Sequence, residues 1–177
     1  IHASNCRQIK RVNDVIQIFA NVHDQIPSKL LLVGDGPERK SMEDLARKLQ
    51  VHDDVRFLGK QEQIEEILLV SDLFLLPSEY ESFGLAAMEA MAANVPVISS
   101  DAGGLPEINI NGKTGYTAAV GDVQTMSECA IKLLSDEVLL QKFRKNAKAQ
   151  AMKFDLHNIV PQYEKLYSRF CRMVCEA

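Results

Sequence analysis

Two carboxylates, Glu81 and Glu89, stand eight positions apart in a short segment that also holds Ser82, Phe83, Gly84 and Leu85. Two cations, Arg7 and Lys10, stand in a polar stretch near the start of the chain. Carboxylates accept hydrogen bonds from hydroxyl groups. Cations and the free N–H groups of a helix start hold phosphate. A ligand that carries hydroxyls and phosphate together, a nucleotide sugar, satisfies both sets.

The elements around these residues must bring them to one place. Leu73–Leu76 is a short apolar run that reads as a buried parallel strand, stopped by Pro77 and Ser78. Helix formers fill the positions after Phe83, and Leu85, Met88 and Met91 are spaced as a buried stripe. A helix beginning near Phe83 puts Glu81 at its mouth and Glu89 about two turns in. Gly84 there lets a ligand approach the backbone N–H groups, where the helix dipole favours an anion. Arg7 and Lys10, in the loop 4–11, are placed to clamp a diphosphate and offset the charge of a leaving nucleotide. On residue types alone, that loop also reads as a solvated one and the two glutamates as helix surface charges.

The rest of the chain alternates strand and helix. Ile1–Ala3, Leu30–Val33, Val55–Leu58, Val95–Ser99 and Gly115–Thr117 read as strands. Val12–His23, Glu38–Leu49, Ile64–Val70, Leu105–Ile110, Val123–Leu134, Glu137–Met152 and His157–Val174 read as helices, with Pro161 tolerated near the first turn of the last. This order predicts an α/β fold, a Rossmann-like parallel sheet with helices on both faces and a ligand at the carboxyl ends of the strands. The glycine-rich turns fall at those ends: Gly34-Asp-Gly36-Pro, Gly59, Gly84 and Gly103-Gly104. The first of these lacks the G-x-G-x-x-G spacing of dinucleotide sites, so a nicotinamide cofactor is not expected. It reads equally as a plain tight turn.

Composition excludes several classes. The chain has 177 residues, 46% of them hydrophobic, enough for one domain with a sizeable core. A formal charge of −4 gives no nucleic-acid surface. No apolar run is long enough to span a membrane. Cys6, Cys129, Cys171 and Cys175 match no zinc or redox spacing, and the four histidines are scattered. Free thiols in a reducing cytoplasm and no metal site are the expectation. Cys171 and Cys175 are one helical turn apart and share a face if that helix forms. The basic run Lys142–Lys148 reads as the solvated face of a helix. The chain opens inside an apolar segment without an initial methionine and reads as a fragment.

The string from Glu81 to Glu89 resembles the E-x7-E motif of the retaining GT-B glycosyltransferases of family 4. The likeness extends to Gly34-Asp-Gly36-Pro, to Phe57-Leu-Gly-Lys60, to Gly103-Gly-Leu-Pro-Glu107 and to the cations of the first loop. It implies that the chain is one half of a GT-B fold, the C-terminal, nucleotide-sugar-binding domain over 1–177, with an acceptor-binding domain lying outside it. It implies that Lys10 and Arg7 hold the diphosphate, Glu81 the transferred sugar and Glu89 the ribose. Gly34 and Gly36 would border the pocket, backbone groups at Leu58 would meet the base, and Ser82, Phe83, Gly84 and Leu85 would face sugar and phosphate. The family commonly writes the first loop as R-x4-K followed by Gly. Here Asn5 stands at the arginine position and Arg11 at the glycine position, so Arg7 is the substitute cation. This variant is similar to one branch, the N-acetylglucosaminyl–L-malate synthases of bacillithiol biosynthesis.

That resemblance implies UDP-N-acetylglucosamine as donor, L-malate as acceptor, no metal cofactor, and an isolated fragment that binds donor without turnover. Other readings stay open: another branch with a polysaccharide or lipid-linked acceptor, or a non-catalytic nucleotide-sugar-binding module. The helix over 157–175 would cross back to the acceptor domain. Its apolar side (Tyr163, Leu166, Tyr167, Phe170, Val174) would otherwise be exposed or covered in a homodimer.

Overall fold

A computed structural model describes the backbone of residues 1–175 and the side chains of residues 1–169. Six short strands run through the centre: β1 (His2–Ala3), β2 (Leu30–Val33), β3 (Val55–Gly59), β4 (Phe74–Leu76), β5 (Val97–Ser100) and β6 (Gly115–Ala118). Among the described residues eight α-helices accompany them: α1 (Val12–His23), α2 (Arg39–Lys48), α3 (Ile64–Leu69), α4 (Leu85–Ala92), α5 (Leu105–Ile108), α6 (Val123–Leu134), α7 (Glu137–Ala151) and α8 (Leu156–Cys175).

Strands β1, β2 and β3 pair in parallel, as do β4, β5 and β6. The two triplets meet where β1 lies beside β4. Leu75 N–H donates to the Ile1 carbonyl at 2.9 Å, and the Ile1 nitrogen donates to the Leu73 carbonyl at 2.8 Å. One residue bonded to both neighbours of its opposite number is the pattern of a parallel pair. The spatial order is therefore β3-β2-β1-β4-β5-β6, the doubly wound arrangement. Its direction of winding reverses between β1 and β4, and the crevice beyond their carboxyl ends is where such sheets take ligands.

Both faces of the sheet are covered, which is why its strands are apolar throughout rather than alternating. Leu30, Leu32, Leu75 and Ile98 pack on one side with Val15, Ile16, Phe19, Met126 and Leu133 of α1 and α6. Phe74, Leu76, Val33 and Val97 pack on the other with Leu68, Ala87, Ala90 and Met91 of α3 and α4. Asp122 and Asp136 cap α6 and α7, accepting from the N–H groups of Thr125 and Leu139 at 3.0 and 2.9 Å. Among the described residues no helix is long and apolar enough to cross a membrane.

Several boundaries differ from expectation for identifiable reasons. Helix α4 begins at Leu85, not Phe83, because Gly84 takes the left-handed conformation (φ 89°) as the residue before it. Glu89 is thus just over one turn into the helix, not two. The expected stripe is also rotated: Ala87, Ala90 and Met91 are the buried residues, while Leu85 is 68% exposed. Strand β5 starts after Pro96, which has no N–H to give and whose carbonyl accepts from Phe74 at 3.0 Å. Pro161 is the sixth residue of α8, past the first turn. Phe170, Cys171, Val174 and Cys175 have side chains outside the described residues.

Candidate functional site

The crevice at the switch point is built from two loops. One leaves β1 and runs from Ser4 to Arg11, with a single 3₁₀ turn at Gln8–Lys10. The other leaves β4 and runs from Pro77 to Gly84. Lys10 Nζ and Glu81 Oε1 form an ion pair across them, with both side chains largely shielded from water. Ser78 Oγ donates to the same carboxylate oxygen at 3.1 Å. The loops are also joined through backbone, since Glu79 N–H donates to the Ile9 carbonyl at 2.8 Å.

Glycines let neighbouring turns press against these loops. Gly34 has φ 111°, and a Cβ there would stand 1.8 Å from the Ser4 carbonyl oxygen. A Cβ on Gly36 would stand 2.0 Å from the Asn5 oxygen. On the other side Gly103, at φ 58°, would put a Cβ 1.9 Å from the Glu81 oxygen, and Gly104 N–H donates to that oxygen at 2.9 Å. The two glycine-rich turns are supports for the cation loop and the carboxylate loop. Ser100 Oγ, at the end of β5, donates to the Ser78 carbonyl at 2.6 Å and fixes the base of the carboxylate loop.

Arg7 is exposed at the crevice, and its guanidinium has no ion-pair or hydrogen-bond partner among the described residues. Arg11 occupies the left-handed region (φ 49°) at the start of α1, and its Nε donates to Asp14 at 2.6 Å. That backbone conformation is free to glycine and costs about 1–2 kcal/mol for other residues.

Helix α4 opens toward the crevice with no side-chain cap, so its first N–H groups remain available to an anion. Gly84 is buried, and a Cβ there would meet Leu105 Cδ2 at 2.7 Å. Ser82 and Leu85 are exposed. Phe83 is half-buried, its ring edge-on to Phe154 at 5.7 Å, so its side chain packs against the turn before α8. Glu89 is exposed, with no ion-pair partner among the described residues. Partial desolvation, then the negative Glu65 on α3, raise its pKa.

At the end of β3 the Leu58 carbonyl accepts from Gln61 Nε2 at 2.7 Å, and the Gly59 carbonyl accepts from Gly34 N–H at 2.7 Å. Both carbonyls are therefore engaged within the chain. Among the described residues no three His, Cys, Asp or Glu side chains cluster to hold a metal ion.

His2 belongs to the site's foundations, and its residue type alone did not reveal this. It is fully buried in β1. Its Nδ1 lies 2.8 Å from the Leu75 carbonyl on β4, and its Nε2 lies 2.8 Å from Ser4 Oγ. A carbonyl only accepts, so Nδ1 carries the proton and Nε2 accepts from the hydroxyl. Burial pushes the imidazole pKa down to about 4, against the opposing pull of the Leu75 carbonyl. Tyr80, 59% exposed beside Glu81, is a further residue at the crevice that spacing gave no reason to select.

The sequence model of the glycosyl transferases group 1 family matches residues 1–150. The chain belongs to this family. It is 47% identical over 168 residues to N-acetyl-alpha-D-glucosaminyl L-malate synthase of Bacillus anthracis, covering 94% of this chain and 44% of that protein. It is 31% identical over 158 residues to 2-deoxystreptamine N-acetyl-D-glucosaminyltransferase of Niallia circulans, covering 85% of this chain and 41% of that one. Among solved structures it resembles Anabaena HepE in complex with UDP, with a TM-score of 0.88 and 27% identity over 95% of this chain and 48% of that one. The group 1 glycosyltransferase fold is thus present in the order the alternation of elements predicts. The chain spans less than half the length of each of these three proteins.

Proposed function

We propose that this chain forms the donor half of a retaining glycosyltransferase. Its substrate in this reading is a UDP-sugar, UDP-N-acetylglucosamine, and the acceptor is the hydroxyl of L-malate. The observation that carries the reading is the meeting of Lys10 and Glu81 at the switch point, beside the uncapped start of α4. The N-acetylglucosaminyl and malate assignments are supported by the 47% identity to the Bacillus anthracis synthase.

The chemistry follows from charge. The bond between the anomeric carbon and the diphosphate oxygen breaks, a bond to the acceptor oxygen forms on the same face of the sugar, and the acceptor's hydroxyl proton passes to the departing diphosphate. The diphosphate leaves with added negative charge. Lys10, Arg7 and the α4 dipole offset that charge without a metal ion. On donor binding, the phosphates replace Glu81 as the partner of Lys10, and the freed carboxylate accepts from sugar hydroxyls. Glu89 accepts from the ribose. Backbone groups after β3 meet the base, with Gln61 giving up the Leu58 carbonyl. The acceptor enters from a second domain, which the apolar side of α8 would touch. Leu156, Tyr163 and Tyr167 of that helix are more than half exposed.

Titrating the chain with UDP, GDP and ADP tests the donor assignment. Selective binding of UDP, weakened in Glu89→Ala, is the expected result. Preference for GDP or ADP would remove the malate-synthase assignment.

A further inference from the structure

We propose that His2 and Ser4 are positioning residues for the donor diphosphate, acting through the backbone turn that aims Arg7 and Lys10. This rests on the reading that those two cations bind the donor. The chain of contacts begins on β4, where the Leu75 carbonyl accepts from His2 Nδ1 at 2.8 Å. It crosses to β1 through the ring, whose Nε2 accepts from Ser4 Oγ at 2.8 Å. It ends at Cys6, whose backbone N–H donates to that same Ser4 oxygen at 3.1 Å.

Cys6 is where the loop is strained. Its φ of 42° is left-handed, a conformation that costs a non-glycine residue about 1–2 kcal/mol and persists only when neighbours hold it. The turn it makes comes directly before Arg7 and the 3₁₀ turn that ends at Lys10. Three contacts restrain it: the Ser4 hydroxyl, the Glu38 N–H donating to the Cys6 carbonyl at 3.0 Å, and the Cys6 thiol reaching the Ser4 carbonyl at 3.8 Å. The hydroxyl connects this turn to the opposite strand through the His2 ring. The ring's orientation is set from β4, so the geometry of the cation loop is referred to the strand from which the Glu81 loop leaves. Both halves of the crevice are thereby held in one frame, as a site that must grip a diphosphate and a sugar together requires.

Substituting His2 would leave a void in the sheet and confound folding with binding, so the test is made at Ser4. The 177-residue chain, Ser4→Ala, Ser4→Thr and Lys10→Ala are each titrated with UDP and with uridine, and their unfolding midpoints are compared. Ser4→Ala is expected to weaken UDP about tenfold while leaving uridine unchanged, because only the phosphate contacts depend on the loop's aim. Ser4→Thr keeps the hydroxyl and is expected to bind UDP as the unsubstituted chain does. Ser4→Ala binding UDP at full strength while Lys10→Ala loses it would overturn the positioning role. Equal weakening of UDP and uridine by Ser4→Ala would overturn it too, as the sign of a general structural effect. Unchanged UDP affinity in Lys10→Ala would instead refute the donor-site reading, and the positioning role with it.

Discussion

Lys10 and Glu81 lie 71 positions apart in the chain and form an ion pair at the point where the sheet reverses its winding. Each is a charged residue of its own loop, and each loop is braced by a different glycine-rich turn. In the proposed reading, the pair holds opposite charges where a nucleotide sugar would need them, and keeps both satisfied until the ligand arrives.

Separating the two residues separates two functions. Lys10→Ala is expected to weaken UDP by about ten- to a hundredfold, the worth of a charge-assisted contact to phosphate. Glu81→Gln is expected to leave UDP almost unchanged and to abolish any preference for the UDP-sugar over UDP. Calorimetric titration of both variants with both ligands checks this.

Glu89 should matter to the ligand and not to the fold. Its carboxylate has no ion-pair partner among the described residues, and its pKa is raised. Glu89→Ala is therefore expected to keep or slightly increase thermal stability while weakening UDP about tenfold. Because the charged form is the better acceptor, UDP affinity should fall as pH drops into the carboxylate range, and should fall less in the variant.

The supporting glycines predict a graded series. Gly103→Ala must relieve a 1.9 Å approach to the Glu81 oxygen as well as adopt φ 58°. It is expected to cost about 3 kcal/mol or more and to lower the unfolding midpoint. Gly112 has a similar φ of 71° with no atom near its would-be Cβ. Gly112→Ala should cost only about 1 kcal/mol, the conformational part alone. Denaturant unfolding of the two variants measures the difference.

His2 makes stability depend on acid. Its pKa is 6.5 when unfolded and about 4 in the fold, mainly through burial, with Lys10 and the amino-terminal nitrogen as nearby positive charges. The unfolded chain takes up a proton near pH 6.5 that the folded chain refuses until about pH 4. The stabilisation is thus complete above pH 6.5 and is lost as pH falls toward 4, by about 3 kcal/mol in all. Urea unfolding across that window should show the loss, and His2→Gln should reduce it to the part due to the buried Ile1 amine, whose pKa burial lowers to about 5.

What could be read without coordinates follows the range of the interactions. Helices α1 and α6 and strand β2 have the predicted bounds, because each is an uninterrupted local pattern with turn residues beyond it. The strand order follows from alternation of strand and helix. Residue types also placed Glu81, Lys10, Gly34 and Gly103 at the same end of the sheet. The start of α4 lies later than the spacing predicts because Gly84 is both a permissive residue within the motif and the left-handed residue that delays the helix. The role of His2 was not legible, since its partner Leu75 lies 73 positions away on a strand that only the fold brings alongside. The Gln61 contact to Leu58 is local, yet nothing in the residue types selects that carbonyl over water.

Amide chemical-shift mapping of the chain with UDP-N-acetylglucosamine tests the central claim most directly. The account predicts shifts concentrated in residues 4–11, 81–87 and 58–61, with Lys10 and Gly84 among the largest, and none at the amino ends of the strands. Shifts gathered away from the β1 and β4 loops, or no shifts with millimolar ligand, would contradict it.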